Sequence, residues 1–320
     1  MKPKEILVFG ATGQIGRHLI RKLTKNNYKV VAVTRNIHQK GYFLKMSANS
    51  GYLEIVELKK FDLEKIRSLM KTSSVCINLI GILFEKGHNS FKKIHTDVPN
   101  LLSLIAKEEK IDQFIHVSAL GIDNAKDSKY AISKIEGENS VKENFKSSVI
   151  LKPSIVYSVD DNFTTQFFRL LNLLPFMPLY YEGKTKFMPI HVSDMAEIIF
   201  KIIEKKITEQ TIECVGPEIL SFKEIIIKML NSIDKKRFLF PMPFLFAKIS
   251  TKIFELMPTP IITTDQLKLL KYDNVITEKN KTNLEIGIRA DRKFYDEIEK
   301  YSYNWKSGGL YSKNKNLAKK

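Results

Sequence analysis

A glycine-spaced turn between an apolar run and an amphipathic segment, within residues 6–23, constrains the fold of this chain most strongly. Residues 6–9 are continuously apolar, as in a strand that is buried on both faces. Gly10, Gly13 and Gly16 follow at three-residue intervals. Apolar side chains then recur at helical spacing, at Ile15, Leu19, Ile20 and Leu23. The pattern predicts a strand, a tight turn and a helix in immediate succession.

This strand–turn–helix unit is typical of nucleotide-binding sites. Glycines let the backbone lie close to a pyrophosphate, and the helix N-terminus offers N–H donors and a partial positive charge. The spacing G-x-x-G-x-x-G is one residue longer at the front than the common dinucleotide fingerprint, and an ordinary tight turn is the alternative interpretation. The loop residues expected to bind a nucleotide are Gly10, Thr12, Gly13, Gln14, Ile15 and Gly16.

Four further apolar runs, at residues 30–33, 55–58, 75–81 and 114–118, alternate with helical patterns. This rhythm predicts an α/β fold with a doubly wound parallel sheet of the Rossmann type and a smaller C-terminal lobe. The expected domain boundaries are 1–157 plus about 188–216 for the NAD(P)-binding domain, 158–187 plus 217–305 for the lobe, and 306–320 for a basic tail. Pro99 is expected to break the helix after the fourth strand, with Asp97 capping a new helix.

The charge of the chain is strongly positive. Lysine and arginine number 52 against 35 aspartates and glutamates, which leaves 52 − 35 = +17. Such an excess favours an anionic partner, namely a membrane surface, a nucleic acid or an acidic protein, although a lysine-rich soluble surface explains it equally well. No nucleic-acid-binding motif accompanies the charge, so we expect no nucleic-acid partner.

The cysteines, histidines and apolar runs indicate the cellular environment of the chain and whether it holds a metal. The two cysteines lie in apolar surroundings, which favours a reducing compartment, and the six histidines lack metal-ligand spacing, so no metal is expected. The first strand starts too early to leave room for a signal peptide, and no apolar run reaches the roughly 18 residues of a membrane span. We therefore expect a cytoplasmic protein, with a peripheral position on the inner face of the cytoplasmic membrane as a further expectation.

Arg35 follows the second strand, at the position that usually decides the cofactor. An acidic residue there accepts hydrogen bonds from the ribose hydroxyls of NAD, whereas a cation suits the additional phosphate of NADP. The sequence therefore favours NADP(H) over NAD(H), and an exposed loop arginine is the alternative. Asp62 is expected to reach the adenine amine. The other residues expected along the cofactor after the third and fourth strands are Leu63, Asn78, Leu79 and Gly81.

A Tyr-x-x-x-Lys spacing at Tyr130 and Lys134 is the candidate catalytic motif. The same spacing occurs twice more, at Tyr180/Lys184 and Tyr311/Lys315, so in a lysine-rich chain it proves little alone. Only Tyr130 follows a strand that ends in a serine, Ser118, and leads into a helical segment. There Lys134 would lie on the same helix face and lower the phenol pKa from about 10 toward neutrality, while Ser118 holds a substrate oxygen. Three unrelated polar residues are the alternative.

Together with Lys152 and the segment Pro153, Ser154 and Ile155, these motifs resemble the short-chain dehydrogenase/reductase superfamily in its atypical, epimerase/dehydratase-like form. The resemblance implies that Tyr130 is the acid/base and that Lys134 binds the nicotinamide ribose. It also implies that the segment after Lys152 lies beside the nicotinamide. Two departures are Lys152, where close relatives usually have arginine, and Ser158, where glycine is common.

Residues 263–270 (TTDQLKLL) and 273–275 (DNV) are similar to a late signature of one branch of that superfamily. This branch is the nucleotide-binding accessory subunit family of respiratory complex I, the alpha-subcomplex subunit nine family, with its bacterial relatives; the resemblance covers roughly residues 5–280. It implies NADPH held structurally, no established substrate, and complex I subunits or another respiratory-chain protein as partners.

Two functions remain open from the sequence. One is an accessory protein whose NAD(P)H is mainly structural and which supports a respiratory complex or quinone-linked metabolism. The other is an active NADP-dependent reductase or epimerase on an unknown small molecule. An aromatic, lysine-bearing stretch at residues 237–257 would lie on an anionic membrane or a partner protein, or else form an apolar lid over the smaller lobe.

Overall fold

A computed structural model of the chain describes residues 5–255, 260 and 262–311. The strands are β1 (Glu5–Phe9), β2 (Lys29–Thr34), β3 (Leu53–Glu57), β4 (Ser73–Asn78), β5 (Gln113–Val117), β6 (Val149–Pro153), β7 (Val156–Tyr157), β8 (Phe176–Tyr180), β9 (Lys186–Phe187), β10 (Ile190–His191), β11 (Gln210–Cys214), β12 (Leu220–Ser221), β13 (Phe238–Met242) and β14 (Lys281–Thr282). The α-helices are α1 (Gln14–Lys25), α2 (Ile37–Ser47), α3 (Leu63–Thr72), α4 (Val98–Glu108), α5 (Lys129–Asn144), α6 (Phe163–Leu173), α7 (Val192–Glu204), α8 (Phe222–Ser232), α9 (Phe244–Phe254), α10 (Thr264–Leu269) and α11 (Phe294–Ser302).

The chain divides into two compact units. The first holds the described residues up to Pro153, together with Val192–Cys214 and Ile276–Arg289. The second holds Ser154–His191, the described residues of Val215–Val275, and those from Ala290 onward. The segment Ile276–Arg289 was expected in the smaller lobe but joins the first unit, because β14 pairs with β11 there. A two-residue strand carries too short a pattern to be recognised from sequence.

An eight-stranded sheet forms the centre of the first unit, in the order β14-β11-β6-β5-β4-β1-β2-β3. Every pairing along it is parallel, which confirms the predicted doubly wound architecture. The strand order reverses between β1 and β4, where the carboxyl ends of both strands lie side by side. In open parallel sheets, ligands bind outside the strand ends at such a reversal.

Helices cover the sheet because their apolar stripes match its two buried faces. α1 buries Gly16, Leu19, Ile20 and Leu23 and contacts α2 and α7. A separate apolar cluster joins the sheet to α3, α4 and α5; among its members are Leu7, Phe9, Cys76, Ile66, Leu102, Phe114 and Val141. Both faces of the sheet are therefore buried, which explains why its strands appear in the sequence as continuous apolar runs.

The helical segment after β4 is not broken at Pro99, contrary to the prediction. Lys92–Asp97 form a π-helical turn that runs directly into α4, and among the described residues Asp97 makes no side-chain capping bond. Proline has no N–H to bond the carbonyl of His95, four residues earlier. That carbonyl lies against α5, where a Cβ added to Gly137 would be 1.9 Å from its oxygen. The π turn therefore accommodates Pro99 without ending the helix.

The late signature motifs stabilise the second unit. Thr263 and Gln266 form a reciprocal capping box at the start of α10. Asp273 accepts a hydrogen bond from the N–H of Lys186 at 2.8 Å, and the N–H of Asn274 donates to the carbonyl of Lys186 at 2.7 Å. These motifs therefore hold a helix start and a strand in place.

Candidate active site

The turn after β1 is built on close backbone packing. Gly10 has a φ of +77°, and a Cβ there would lie 2.9 Å from the carbonyl carbon of Leu79. A Cβ on Gly16 would lie 2.5 Å from the carbonyl oxygen of Ala11. Glycine is therefore required at both positions, because neither has space for a Cβ. Gly10 needs it also for its left-handed backbone.

Gly13 differs from the other two glycines of the loop. Its φ of −71° suits any residue, and a Cβ there would meet only the carbonyl oxygen of Gly10, at 3.2 Å. Gly13 is exposed and is the N-cap of α1, so no side chain occupies the helix N-terminus. An anion can therefore approach the N-terminus at this point, with Thr12, Gln14 and Ile15 alongside.

Asn78 and Gly81 lie at and just beyond the end of β4, beside this loop. The Asn78 Oδ1 accepts the N–H of Ile80 at 3.1 Å, so its Nδ2 donates to Nδ1 of the buried His116, 3.2 Å away. The His116 proton then resides on Nε2, which has no hydrogen-bond partner among the described residues. A buried donor of this kind fits a polar ligand or a water at this edge of the sheet.

Lys134 lies at the same edge. Its Nζ donates to the carbonyl of Val117 at 3.2 Å and would be 3.5 Å from a Cβ on Gly81. Burial lowers the pKa of Lys134 to about 8, an effect that the carboxylate of Glu138 opposes. The ammonium therefore has donors available for oxygen acceptors, as binding to ribose hydroxyls requires.

Ser118 is positioned by a buried ionic chain. Its hydroxyl donates to Glu138 at 2.5 Å, and the other carboxylate oxygen of Glu138 is 3.3 Å from Nζ of Lys152. Lys152 also donates to both oxygens of Asp123, at 3.0 and 2.9 Å. The one donor hydrogen of the Ser118 hydroxyl is therefore used in its hydrogen bond to Glu138.

Tyr130 is enclosed by rings. The planes of Phe91 and His95 meet it edge-on, with centroids 5.7 and 5.1 Å away. The Nε2 of His95 accepts the N–H of Ile82, and Nδ1 donates to Ser133, which donates to the carbonyl of Tyr130. Burial raises the pKa of Tyr130 to about 12 and lowers that of His95 to about 2. Desolvation is the cause of the raised phenol pKa, so in this structure Lys134 does not lower the pKa of Tyr130 as expected.

The residues predicted for the adenosine half of the cofactor are exposed. Arg35 directly follows β2, and the neighbouring Asn36 caps α2 by accepting the N–H of Gln39 at 3.0 Å. Asp62 caps α3 by accepting the N–H of Lys65 at 3.0 Å, and Leu63 begins that helix. Asp62 thus has a structural role that sequence reasoning did not give it.

Pro153, Ser154 and Ile155 fall at a boundary between the units. Pro153 ends β6 and its carbonyl accepts the N–H of Leu120 at 2.9 Å. Ser154 and Ile155 belong to the second unit, where the Ser154 hydroxyl donates to Oδ1 of Asn274 at 2.5 Å. The DNV signature thus positions Ser154.

Sequence reasoning missed the roles of His95, His116, Ser133, Glu138 and Asp123. A signal existed for Glu138, which lies four residues after Lys134 and so on the same helix face. The roles of the others depend on contacts between elements distant in sequence. Across the described residues, no group of three His, Cys, Asp or Glu side chains is placed to hold a metal ion, and no helix has the length and apolar character of a membrane span.

Comparison with known proteins agrees with this architecture. The chain matches the profile of the NmrA-like family over residues 2–301. It is 25% identical over 300 residues to the mitochondrial NADH-ubiquinone oxidoreductase 40 kDa subunit of Neurospora crassa, covering 93% of this chain and 77% of that relative. It is 26% identical over 313 residues to the NADH dehydrogenase (ubiquinone) 1 alpha subcomplex subunit 9 of Mus musculus, covering 95% and 82%.

Among solved structures, a UDP-glucuronic acid 4-epimerase from Bacillus cereus superposes with a TM-score of 0.65 at 20% identity, over 92% of this chain and 99% of that one. This similarity confirms the epimerase/dehydratase-like fold. The resemblance to the complex I alpha-subcomplex subunit nine family is likewise confirmed by the relatives. With its profile matched over nearly the whole length, the chain belongs to the NmrA-like family.

Proposed function

We propose that this chain binds NAD(P)H as a mainly structural cofactor and supports a respiratory complex, as an accessory protein of the complex I subunit nine type. The observation that carries the proposal is the turn after β1. Gly10 and Gly16 admit no side chain, while Gly13 is exposed at the N-terminus of α1. This is a cradle for a pyrophosphate, and the orphaned Nε2–H of His116 and the Lys134 ammonium supply donors for the rest of the ligand.

A structural role for the cofactor is supported by the state of the proton-transfer residues. The Ser118 hydroxyl donates its hydrogen bond to Glu138, and burial raises the pKa of Tyr130 to about 12. The donor of Ser118 is thus used within the protein, and the phenol of Tyr130 is a weaker acid than a free tyrosine, with a pKa further from the neutral range that favours acid–base catalysis. When bound, the cofactor would supply hydride chemistry, but the side chains of this protein favour a structural role for the cofactor over a catalytic one.

NADP(H) is the proposed form of the cofactor. Arg35 is exposed directly after β2, and neither it nor Asn36 is an acid that would select the ribose hydroxyls of NAD. Respiratory-chain proteins are the proposed partners, because the relatives are named as subunits of NADH-ubiquinone oxidoreductase. Peripheral contact with an anionic membrane is proposed from the net charge of +17; failure to sediment with anionic vesicles at low salt would contradict that contact.

The alternative, an active NADP-dependent reductase or epimerase, is favoured by one observation. Ser118, Tyr130 and Lys134 are all present at one edge of the sheet, with the pKa of Lys134 lowered to about 8. Mass spectrometry of the protein purified under mild conditions tests the proposal. Co-purification of NADPH with respiratory-chain subunits is expected, and a nucleotide-free protein without such subunits would contradict it.

A further inference from the structure

Two side chains one turn apart on α5 attach to consecutive residues at the end of β5. Lys134 donates to the carbonyl of Val117, and Glu138 accepts the hydroxyl proton of Ser118. Lys134 is 4% exposed, Glu138 3% and Ser118 5%, so the groups meet away from solvent. In such surroundings an ionised group persists only with a partner.

The charges in this region balance. Lys134 and Lys152 provide two ammonium groups, and Glu138 and Asp123 provide two carboxylates. Lys152 forms ion pairs with both Asp123 and Glu138. The charge of Glu138 also raises the pKa of Lys134, against the effect of burial. Loss of the Glu138 charge would therefore leave the Lys134 ammonium without its stabilising neighbour.

We propose that Glu138 is a positioning residue of the cofactor site, which keeps the Lys134 ammonium charged and fixes Ser118 at the end of β5. The inference rests on the proposed function, in which the Lys134 ammonium binds the cofactor. Glu138 acts through Lys134 and Ser118 and does not itself contact the cofactor.

Three rings near Lys134 hold constant charge near neutral pH. Burial lowers the pKa of His95 on the π turn to about 2 and that of His116 on β5 to about 3, so both rings are neutral. Burial raises the pKa of Tyr130 on α5 to about 12, so the phenol stays protonated. Asp123 and Glu138 raise the pKa of Lys152 on β6, while burial raises the pKa of Glu138 against the pull of Lys152. The pKa of Lys134, about 8, lies between about pH 7 and 9.5, whereas those of His95, His116 and Tyr130 lie outside that range.

The proposal predicts how cofactor affinity depends on pH. Because only the charged ammonium donates three hydrogen bonds, NADPH affinity of the wild-type protein should fall as pH rises through about 8. In Glu138→Gln the fall should occur about one pH unit lower, since a nearby opposite charge shifts a pKa by about one unit or more. NADPH affinity should then be about fivefold weaker than wild type at pH 8 and within about twofold at pH 6.5.

Fluorescence titration of NADPH from pH 6.5 to 9.5 measures this, with Glu143→Gln as the matched control. Glu143 is an exposed acid on the same helix, so its variant should follow the wild-type profile. Glu138→Asp retains the charge and should keep the wild-type midpoint even if affinity drops. A Glu138→Gln profile that is weaker at every pH with an unchanged midpoint would overturn the proposal, because that is the result of a purely structural role.

A cofactor-free measurement separates this proposal from the proposed function. Reductive methylation modifies the neutral amine, so its rate at Lys134, followed by peptide mass spectrometry, reports the lysine titration directly. The midpoint of the Lys134 titration should lie about one pH unit lower in Glu138→Gln than in the wild type. In Glu138→Asp, which keeps the charge, the midpoint should match that of the wild type. An unshifted midpoint in Glu138→Gln, or a shifted one in Glu138→Asp, overturns the role of Glu138. Absence of NADPH binding by the wild type overturns the proposed function instead, and the methylation result stands by itself.

Discussion

Asn78 Nδ2 lies 3.2 Å from Nδ1 of His116, and the two residues are directly opposite each other on the neighbouring strands β4 and β5. Both side chains are fully buried. Because Asn78 also accepts the N–H of Ile80, the amide orientation and the histidine tautomer are fixed together. His116 is therefore a neutral imidazole whose Nε2–H has no hydrogen-bond partner among the described residues.

Asn78→Leu should destabilise the protein by at least about 2 kcal/mol. The variant leaves the half-buried Ile80 N–H and the buried His116 Nδ1 without their partner, and a buried group of this kind costs about 1–3 kcal/mol. Urea denaturation of Asn78→Leu, His116→Phe and the double variant measures the effect. If the pair acts as a unit, the double variant loses less stability than the sum of the single variants; additive losses would contradict the pairing.

The contribution of Lys134 to the free energy of unfolding of the cofactor-free protein should rise with pH between about 8 and 10.5. Burial lowers the pKa of Lys134 from 10.5 to about 8, so over this range the Lys134 side chain is protonated less in the folded protein than in the unfolded chain. Stability increases with pH wherever the unfolded state binds more protons. The contribution is roughly 3 kcal/mol at most. Denaturation of the wild type and of Lys134→Met at several pH values measures it as the difference between the two curves. The buried thiols of Cys76 and Cys214, whose pKa burial raises, act in the opposite direction but are common to both proteins. A difference that does not change with pH would rule Lys134 out as its source.

Gly137→Ala should destabilise the protein by about 1–3 kcal/mol or more, although alanine normally favours a helix over glycine by about 0.5–1 kcal/mol. The added Cβ would lie 1.9 Å from the carbonyl oxygen of His95. Thermal melting compares it with Asn139→Ala, an exposed position on the same helix where no such overlap arises. A stabilised Gly137→Ala protein would show that the π turn and α5 do not pack as described.

Arg35→Asp should reverse the cofactor preference. The wild type is expected to bind NADPH about tenfold or more tightly than NADH, since a charge-assisted contact to phosphate is worth about 1.5–3 kcal/mol. The aspartate would repel that phosphate and accept from the ribose hydroxyls instead. Titration of both cofactors against both proteins measures the change, and equal wild-type affinities would exclude Arg35 as the selecting residue.

The parts of the fold that follow from local pattern could be predicted from the sequence. The runs at residues 6–9 and 30–33 fall within β1 and β2, because a strand buried on both faces must be apolar throughout. The π turn at Lys92–Asp97 could not, since apolar spacing does not distinguish one extra residue in a turn from a break at Pro99. Local pattern therefore identifies the strands of this sheet better than the irregular turn of a helix.

The candidate site divides in the same way. Gly10, Ser118 and Lys134 were predicted, because each belongs to a motif read along the chain. The bond between Ser118 and Glu138 was not predicted, because it depends on the position of α5 over β5. The raised pKa of Tyr130 depends on burial by Phe91 and His95, which no spacing in the sequence reveals.

The most direct test of a structural cofactor compares Gly13→Val with Tyr130→Phe. Gly13 is the loop glycine whose backbone suits a side chain, so valine should block the approach of pyrophosphate while the protein still folds. Tyr130→Phe removes only a hydroxyl, which should leave binding and assembly intact, whereas loss of an acid/base commonly costs an enzyme about 10²–10⁴ in rate.

NADH-driven oxygen consumption by membranes from strains that carry each variant is the deciding measurement. We predict wild-type respiration with Tyr130→Phe and impaired respiration with Gly13→Val. Equal damage from Tyr130→Phe, in a protein that is still folded and loaded with NADPH, would contradict the structural role and identify a working reductase.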